Sequence, residues 1–236
     1  MALTVMSFNL RYSNEGDGPN RWELRRPLAL GAILGSDPDV IAFQEVLPSQ
    51  RRDLTVDLPE YLSLGSSRTR GGEQCCVFWR NRLRVLEGGT YGLHPEGGYG
   101  VRGWDAALPR VYTRLRFEDF DLFNLHLDHD GPVSRRESLK LVLARVDPDR
   151  PTLIAGDFNE DAELPGWVDA TPPEEGTYHA FTGSRDGPRI DHIFASPRVK
   201  LLWGQVVRCQ DEGRFPSDHF PVVARVSVAD DPGNEV

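Results

Sequence analysis

Short apolar runs, each closing on a polar residue, recur along this chain and set its expected architecture. Leu3 to Phe8 ends on Asn9, Val40 to Phe43 on Gln44-Glu45, and Pro151 to Ala155 on Gly156-Asp157. Further strand-like runs lie at about 74–80, 83–91, 110–117, 120–126, 190–195, 199–208 and 220–228, several with period-two alternation. Helical patterns are fewer. Asn20 and Glu23 fit a capping box opening a helix to about Leu34, a short helix is expected around 49–58, and Pro132 opens one through about Val146. Strands outnumber helices, and hairpin-like pairs mix with helical crossovers. The expected fold is α/β, with two β-sheets packed face to face and helices outside. A doubly wound parallel sheet would need more helices.

No internal repeat or interdomain linker interrupts this pattern, so a single domain over 1–229 is expected, with a flexible tail at 230–236. The net charge of -9 and pI near 5.2 lower the expectation of non-specific duplex binding, although a local basic rim can sit within an acidic surface. Nearly all positive charge is arginine, the only lysines being Lys140 and Lys200. The adjacent Cys75 and Cys76 sit in a strand-like run and read as buried, inert thiols rather than a disulfide framework. With no signal-like start and no span-length apolar run, a soluble, cytoplasmic, monomeric protein is expected, with no membrane partner.

The candidate chemistry lies at the strand ends. Asn9, Glu45, Asp157, Asn159, Asp218 and His219 supply carboxylate, amide and imidazole groups suited to a hard divalent cation and an attacking water. Taken alone, Asn9 fits a turn residue and Glu45 a surface carboxylate; it is their coincidence with Gly156-Asp157-Phe158-Asn159 and Ser217-Asp218-His219 that points to a site. Asn124, His126 and Asp128 alternate onto one face of a strand. Asn124 there fits a half-exposed strand, His126 a phosphoryl contact, and Asp128 with His129 a loop anchor. Asp191 lies within an apolar strand and needs a partner. His219 is the natural one, and a surface pair with Arg189 is the alternative. His192 points the other way and reads as structural.

The ordered blocks Ser7-Phe8-Asn9, Gln44-Glu45, Asn124 to His129, Gly156 to Asn159, Arg189 to Phe194 and Ser217 to Pro221 resemble the DNase I-like endonuclease/exonuclease/phosphatase superfamily. They are closer to its bacterial phosphohydrolase and deadenylase-like branches than to AP endonucleases. The resemblance implies a four-layer α/β/β/α sandwich and a site for one or two Mg²⁺ or Mn²⁺ ions. Asn9 and Glu45 would hold the first metal with Asp218 nearby, and Asp157, Asn159 and His219 are further candidates for metal. His126 would bind the scissile phosphate, and the Asp191–His219 pair would activate water or stabilise the transition state. The general base stays open among the catalytic candidates His126, Asp157, Asn159, Asp191 and His219. The block Gly103 to Arg110 also resembles the bacterial branch and offers Arg110 as a phosphate contact. Arg68 and Arg102, with Trp104, are candidate substrate-binding residues from loops, as are Arg70, Arg185 and Tyr99.

The expected function is metal-dependent hydrolysis of a phosphodiester or phosphomonoester by activated water, on a phosphorylated small molecule or short nucleic acid. A DNA or RNA nuclease is the alternative, with long duplex DNA a poor substrate. An inactive binding or scaffold member is disfavoured by the intact Glu45, Asp157, Asn159, Asp191 and His219.

Overall fold

The computed structural model describes residues 1–228, so the expected tail at 230–236 lies outside the described residues. In chain order the elements are β1 (Ala2–Asn9), α1 (Trp22–Ser36), β2 (Val40–Val46), α2 (Pro48–Asp57), β3 (Tyr61–Leu64), β4 (Gln74–Arg80), β5 (Val85–Gly92), β6 (Val111–Phe117), β7 (Asp121–His126), α3 (Pro132–Leu143), β8 (Thr152–Asp157), β9 (Val168–Asp169), β10 (Asp191–Ala195), β11 (Val199–Val206) and β12 (Val222–Val228). They form two mixed six-stranded sheets, ordered β11-β12-β1-β2-β4-β3 and β5-β6-β7-β8-β10-β9. Each sheet is built around one parallel pair, β1–β2 or β7–β8, flanked by antiparallel strands. Helices α1 and α3 are the crossovers that parallel pairing requires.

The alternation of side chains assigns the layers. Leu3 and Val5 of β1, Val40 and Ala42 of β2, Leu122 of β7, Leu153 and Ala155 of β8, and Ile193 of β10 belong to one cluster between the sheets. The intervening residues Met6, Phe8, Ile41 and Phe43 pack outward against Ala29 and Ile33 of α1 and Leu54 of α2. On the other sheet Phe123, Leu125 and Ile154 pack outward against Val142 of α3. The central strands are therefore apolar on both faces, and the layering is α/β/β/α.

Two local expectations change. The capping box is not formed: α1 begins at Trp22 with Arg21 at its N-cap and no side-chain cap, because Glu15–Asn20 winds as a 3-10 segment. The Asn20 carbonyl accepts from Arg25 Nε instead. Strands β3 and β9 have no counterpart in the expected elements, being four and two residues long with only Tyr61 buried. Elsewhere the expected runs match the elements to within three residues.

Asn124 is not half-exposed. It is fully buried between the sheets, donating to the carbonyls of Phe43 (2.8 Å) and Cys76 (3.0 Å) and accepting from Gln44 Nε2 (2.7 Å). Its face packs on the second sheet rather than on water, and the buried amide is kept by bonds that tie the sheets together.

Candidate active site

Strand register places the functional groups in one row. His126 lies opposite Asp157 across β7–β8, and Asp157 lies opposite Asp191 across β8–β10. Registered partners share a face, so all three continue the rows that bury Leu122, Ala155 and Ile193 between the sheets. The rows emerge at the carboxyl ends of the parallel strands, where ligands gather in open α/β sheets. Gly156 makes this possible: its φ is +150°, and a Cβ there would lie 2.1 Å from the Leu125 carbonyl oxygen.

His219 reaches the row from the loop that enters β12. Ser217 Oγ donates to the Asn9 carbonyl at 2.7 Å, which docks that loop against the end of β1. Nδ1 of His219 lies 2.8 Å from Asp191 Oδ2, and Nε2 lies 3.9 Å from Asp157 Oδ2. The expected Asp191–His219 pair is present. The alternative pair with Arg189 is not, since Arg189 reaches Asp161 and Asp169. His192, also as expected, is structural, with Nδ1 2.8 Å from Asp169.

Burial opposes the charge on His219, but Asp191, then Asp157 and Asp218, outweigh it and push the ring up to about 10. Burial, with Asp191 facing it, pushes the Asp157 carboxyl up to about 7. Burial, aided by Arg110 and Arg68, drives His126 well below its ordinary value, so its imidazole is neutral.

Glu45 arrives by a different device. Period two would send it outward with Ile41 and Phe43, away from the site. Instead its φ is +60° and the β2–β4 register shifts between Phe43 and Val46. This bulge turns the carboxylate inward, where Oε1 accepts from Asn9 Nδ2 (3.2 Å) and Oε2 from the Tyr12 amide (3.2 Å). Asn9 Nδ2 also donates to Asp157 Oδ2 at 2.9 Å, bridging the two acids from opposite sheets. Its Oδ1 accepts from the Arg11 amide at 3.0 Å.

Four residues without a sequence-based assignment frame this corner. Buried Arg25 donates to the carbonyls of Leu10, Arg11, Tyr12 and Pro216, and Gln50 accepts from the Ser13 amide at 3.0 Å. Arg11 forks onto Asp17 (3.1 and 3.0 Å) and lies 3.9 Å from Asp218. Tyr178 packs edge-on to the His219 ring, centroids 4.9 Å apart. A basic residue after a strand end and an arginine on a helix are too common to stand out in sequence.

These groups open on a cavity of about 530 Å³, walled in part by Arg11, Glu45, Arg68, Glu73, Arg110 and His126. Asp157, Asn159, Asp218 and His219 also face it. Asn159 adopts φ +54° and donates from Nδ2 to the Leu127 carbonyl at 3.0 Å. Arg110 is buried, 3.2 Å from Asp128 and 2.8 Å from His129 Nδ1. Asp128 anchors the loop, accepting from the amides of Ala107 (3.0 Å) and Gly131 (2.9 Å). Trp104 and Arg102 are exposed and do not line the cavity; the loop buries Gly103 and Ala106 and turns those two side chains outward.

The sequence profile described as the Endonuclease/Exonuclease/phosphatase family matches residues 6–219. The chain belongs to that family. Comparison with curated proteins gives no significant match. Among solved structures, an endonuclease/exonuclease/phosphatase from Bacteroides vulgatus is 29% identical with a TM-score of 0.89, covering 97% of this chain and 100% of its own. The mannosyl-6-phosphatase of Bacteroides thetaiotaomicron is 31% identical at TM-score 0.86, covering 95% of this chain and 99% of its own. D. rerio TDP2 complexed with a single-strand DNA product is 18% identical at TM-score 0.74, covering 96% of this chain and 99% of its own, a likeness of fold.

The donor set of this family member fits a hard divalent cation. Carboxylates of Glu45, Asp157, Asp191 and Asp218 converge on the site, and Asp191 Oδ1 is buried with no partner among the described residues. Asp157, Asp191 and His219 place ligand-type atoms within 4.8 Å of one another. There, however, the Asp191–His219 hydrogen bond occupies Nδ1, which suits a proton-handling pair better than two ligands. Glu45 and Asp157, held apart by the positive edge of the Asn9 amide, are the better cation pair. Asn9 would have to turn its amide over to offer oxygen.

Proposed function

We propose that this enzyme hydrolyses a phosphate ester of a small molecule with the help of a divalent cation held by Glu45 and Asp157, with Asn9 and Asp218 beside them. The observation that carries this reading is the Asp191–His219 pair at 2.8 Å standing 3.9 Å from Asp157, in a cleft of small-molecule volume. A bound Mg²⁺ or Mn²⁺ would supply charge neutralisation at the phosphoryl oxygens. Water attacks phosphorus, a new P–O bond forms and the bond to the alcohol oxygen breaks. Asp157 fixes the attacking water, and the proton that water gives up is taken by the departing alcohol oxygen. Cationic His219, oriented by Asp191, donates Nε2–H to the phosphoryl oxygen as charge builds there. Neutral His126 at the end of β7 and Asn159 in the loop after β8 hold the same group.

Overall acidity favours a small phosphoester over long duplex DNA. The family relation to a mannosyl-6-phosphatase supports a phosphomonoester. The test is a panel of phosphomonoester, phosphodiester, single-stranded and duplex DNA, and RNA, with Mg²⁺ or Mn²⁺ and after chelation. Turnover of a small ester that chelation abolishes and the cation restores is expected. Full activity after exhaustive chelation, or duplex DNA faster than every small ester by an order of magnitude, overturns the reading.

A further inference from the structure

The groups proposed to act on the ester stand on two walls of the cleft. Asn9 ends β1 and meets Glu45, while Asp218 and His219 ride on the loop that enters β12. One buried side chain that belongs to neither wall joins them. Arg25, on α1, is 1% exposed and does not line the cavity. Its Nη1 donates to the carbonyl of Leu10 and, at 3.0 Å, to that of Pro216. Its Nη2 donates to the carbonyls of Arg11 (2.5 Å) and Tyr12 (3.4 Å), and Nε to that of Asn20 (2.8 Å). Both ends of the loop that carries Arg11 and Tyr12 to the cavity therefore close on one guanidinium. The same guanidinium holds Pro216, which directly precedes Ser217, Asp218 and His219.

A buried guanidinium bonded only to carbonyls is a costly way to fill space on a helix. Burial pushes Arg25 down to about 10, opposed by the charges of Asp218, Asp17 and Glu45. What the guanidinium offers is geometry: a planar fork with donors in fixed directions, which can reach carbonyls of both loops at once. Ser217 Oγ, donating to the Asn9 carbonyl at 2.7 Å, is a second tie between the same two walls. One tie would leave the loops free to turn about it, whereas two fix a spacing and an angle. We infer that Arg25 is a positioning residue for catalysis, setting the separation between the Asn9–Glu45 corner and the Asp218–His219 loop. It acts through Asp218 and His219, which follow Pro216. It also acts through Asn9, whose Oδ1 accepts from the Arg11 amide at 3.0 Å beside the carbonyls that Arg25 holds. The inference rests on the proposed phosphoesterase reading and adds a residue to its machinery.

The experiment is Arg25→Lys, which keeps the charge and gives up the fork, assayed with saturating Mg²⁺ or Mn²⁺ and corrected for the folded fraction by circular dichroism. Misplacement by about an ångström costs roughly a hundredfold in rate, so kcat per folded molecule should fall by about that factor. KM should stay within about threefold, because Arg25 does not touch the substrate. Ser217→Ala should also lower kcat, and the double variant should lose less than the product of the two single losses, since both ties hold one spacing. A merely structural arginine would lower stability and leave kcat per folded molecule alone. A kcat loss below tenfold, a loss confined to KM, or fully multiplicative effects overturns the inference and leaves the phosphoesterase reading intact. Should Arg25→Lys not fold, or should the wild type turn over no phosphate ester and that reading fail, hydrogen exchange of the wild type still decides the brace. Amides of residues 10–12 and 217–219 opening as one unit support it, and protection differing by more than about tenfold between the two segments refutes it.

Discussion

Replacing Asp191 by asparagine removes one charge from the site while keeping its shape. The carboxylate is buried, and its one bonded oxygen accepts from His219 at 2.8 Å. A hydrogen bond to a charged group contributes about 1.5–3 kcal/mol, which is roughly ten- to a hundredfold in rate if the transition state feels all of it. The variant loses more than that bond. Asparagine can turn its NH2 toward Nδ1, which forces the other tautomer and moves the proton to Nε2 of a neutral ring. Without Asp191, the burial that opposes charge on His219 is no longer outweighed by its principal partner. The sign follows. In the wild type the cation, and the stability its pair contributes, are fully present below about pH 6.5 and are lost as pH rises through about 10. Asp191→Asn should therefore lower kcat by at least about a hundredfold, with little change in KM, and shift the alkaline limb of the kcat profile toward neutral pH. The assay is steady-state kinetics across pH, with folding checked by circular dichroism. Adding His219→Ala should cost little more, because the pair acts as a unit. A loss below tenfold in a folded variant, an unmoved alkaline limb, or fully multiplicative effects would refute the pairing as a catalytic device.

Gly156→Ala should destabilise the fold by at least about 2 kcal/mol, read as a lower urea midpoint, because its Cβ would meet the Leu125 carbonyl at 2.1 Å; an unchanged midpoint would contradict the backbone geometry. Burial pushes His179 down to about 4, so the unfolded chain binds the proton first and stability should fall as pH drops from about 6.5 toward 4. His179→Phe, which keeps the stacking on Phe220, should flatten that part of the profile, and an identical slope in the variant would rule it out. At Glu45, where φ is +60°, the glycine variant should exceed the alanine variant in stability by about 1 kcal/mol, with both inactive. Chemical denaturation tests the order, and alanine equal to or above glycine would show that no backbone strain is stored there.

The apolar runs foretold ten of the twelve strands among the described residues and the layering, because central strands buried on both faces must be apolar throughout. The same runs located Asn9 and Asp157, since a polar residue ending such a strand has only the rim to occupy, and Asp191, since a carboxylate in an apolar run needs a partner. What stayed hidden depends on tertiary contacts. Asn124 looked half-exposed because alternation reports two faces without saying what covers each one. Strand β3 is short and mostly exposed, so no pattern marks it. Arg25 carries the loop after Asn9 on its guanidinium, a role set by carbonyls distant in sequence. Trp104 shares a sequence block with Arg110, and Arg102 precedes it, but neither shares the environment of Arg110, which is buried while they are exposed.

The site owes its rigidity to the order in which the space between the sheets changes character. Deep in the sandwich the facing rows are Val, Leu, Ala and Ile. One step toward the rim they become Gln44 and Asn124, joined across the sheets at 2.7 Å. One step further they become Asn9 and Asp157, joined at 2.9 Å. The apolar rows fix the intersheet distance through close packing, and the amide pair fixes the register of one sheet on the other through directional bonds. By the time the chains reach the cavity, the spacing between Glu45 on one sheet and Asp157 on the other is already determined. Alternation supplies every group in this sequence except Glu45, whose strand has the wrong parity for the cleft. A left-handed residue and a bulge correct the parity at that one position, so backbone strain is concentrated on the carboxylate that alternation would otherwise turn away from the cleft.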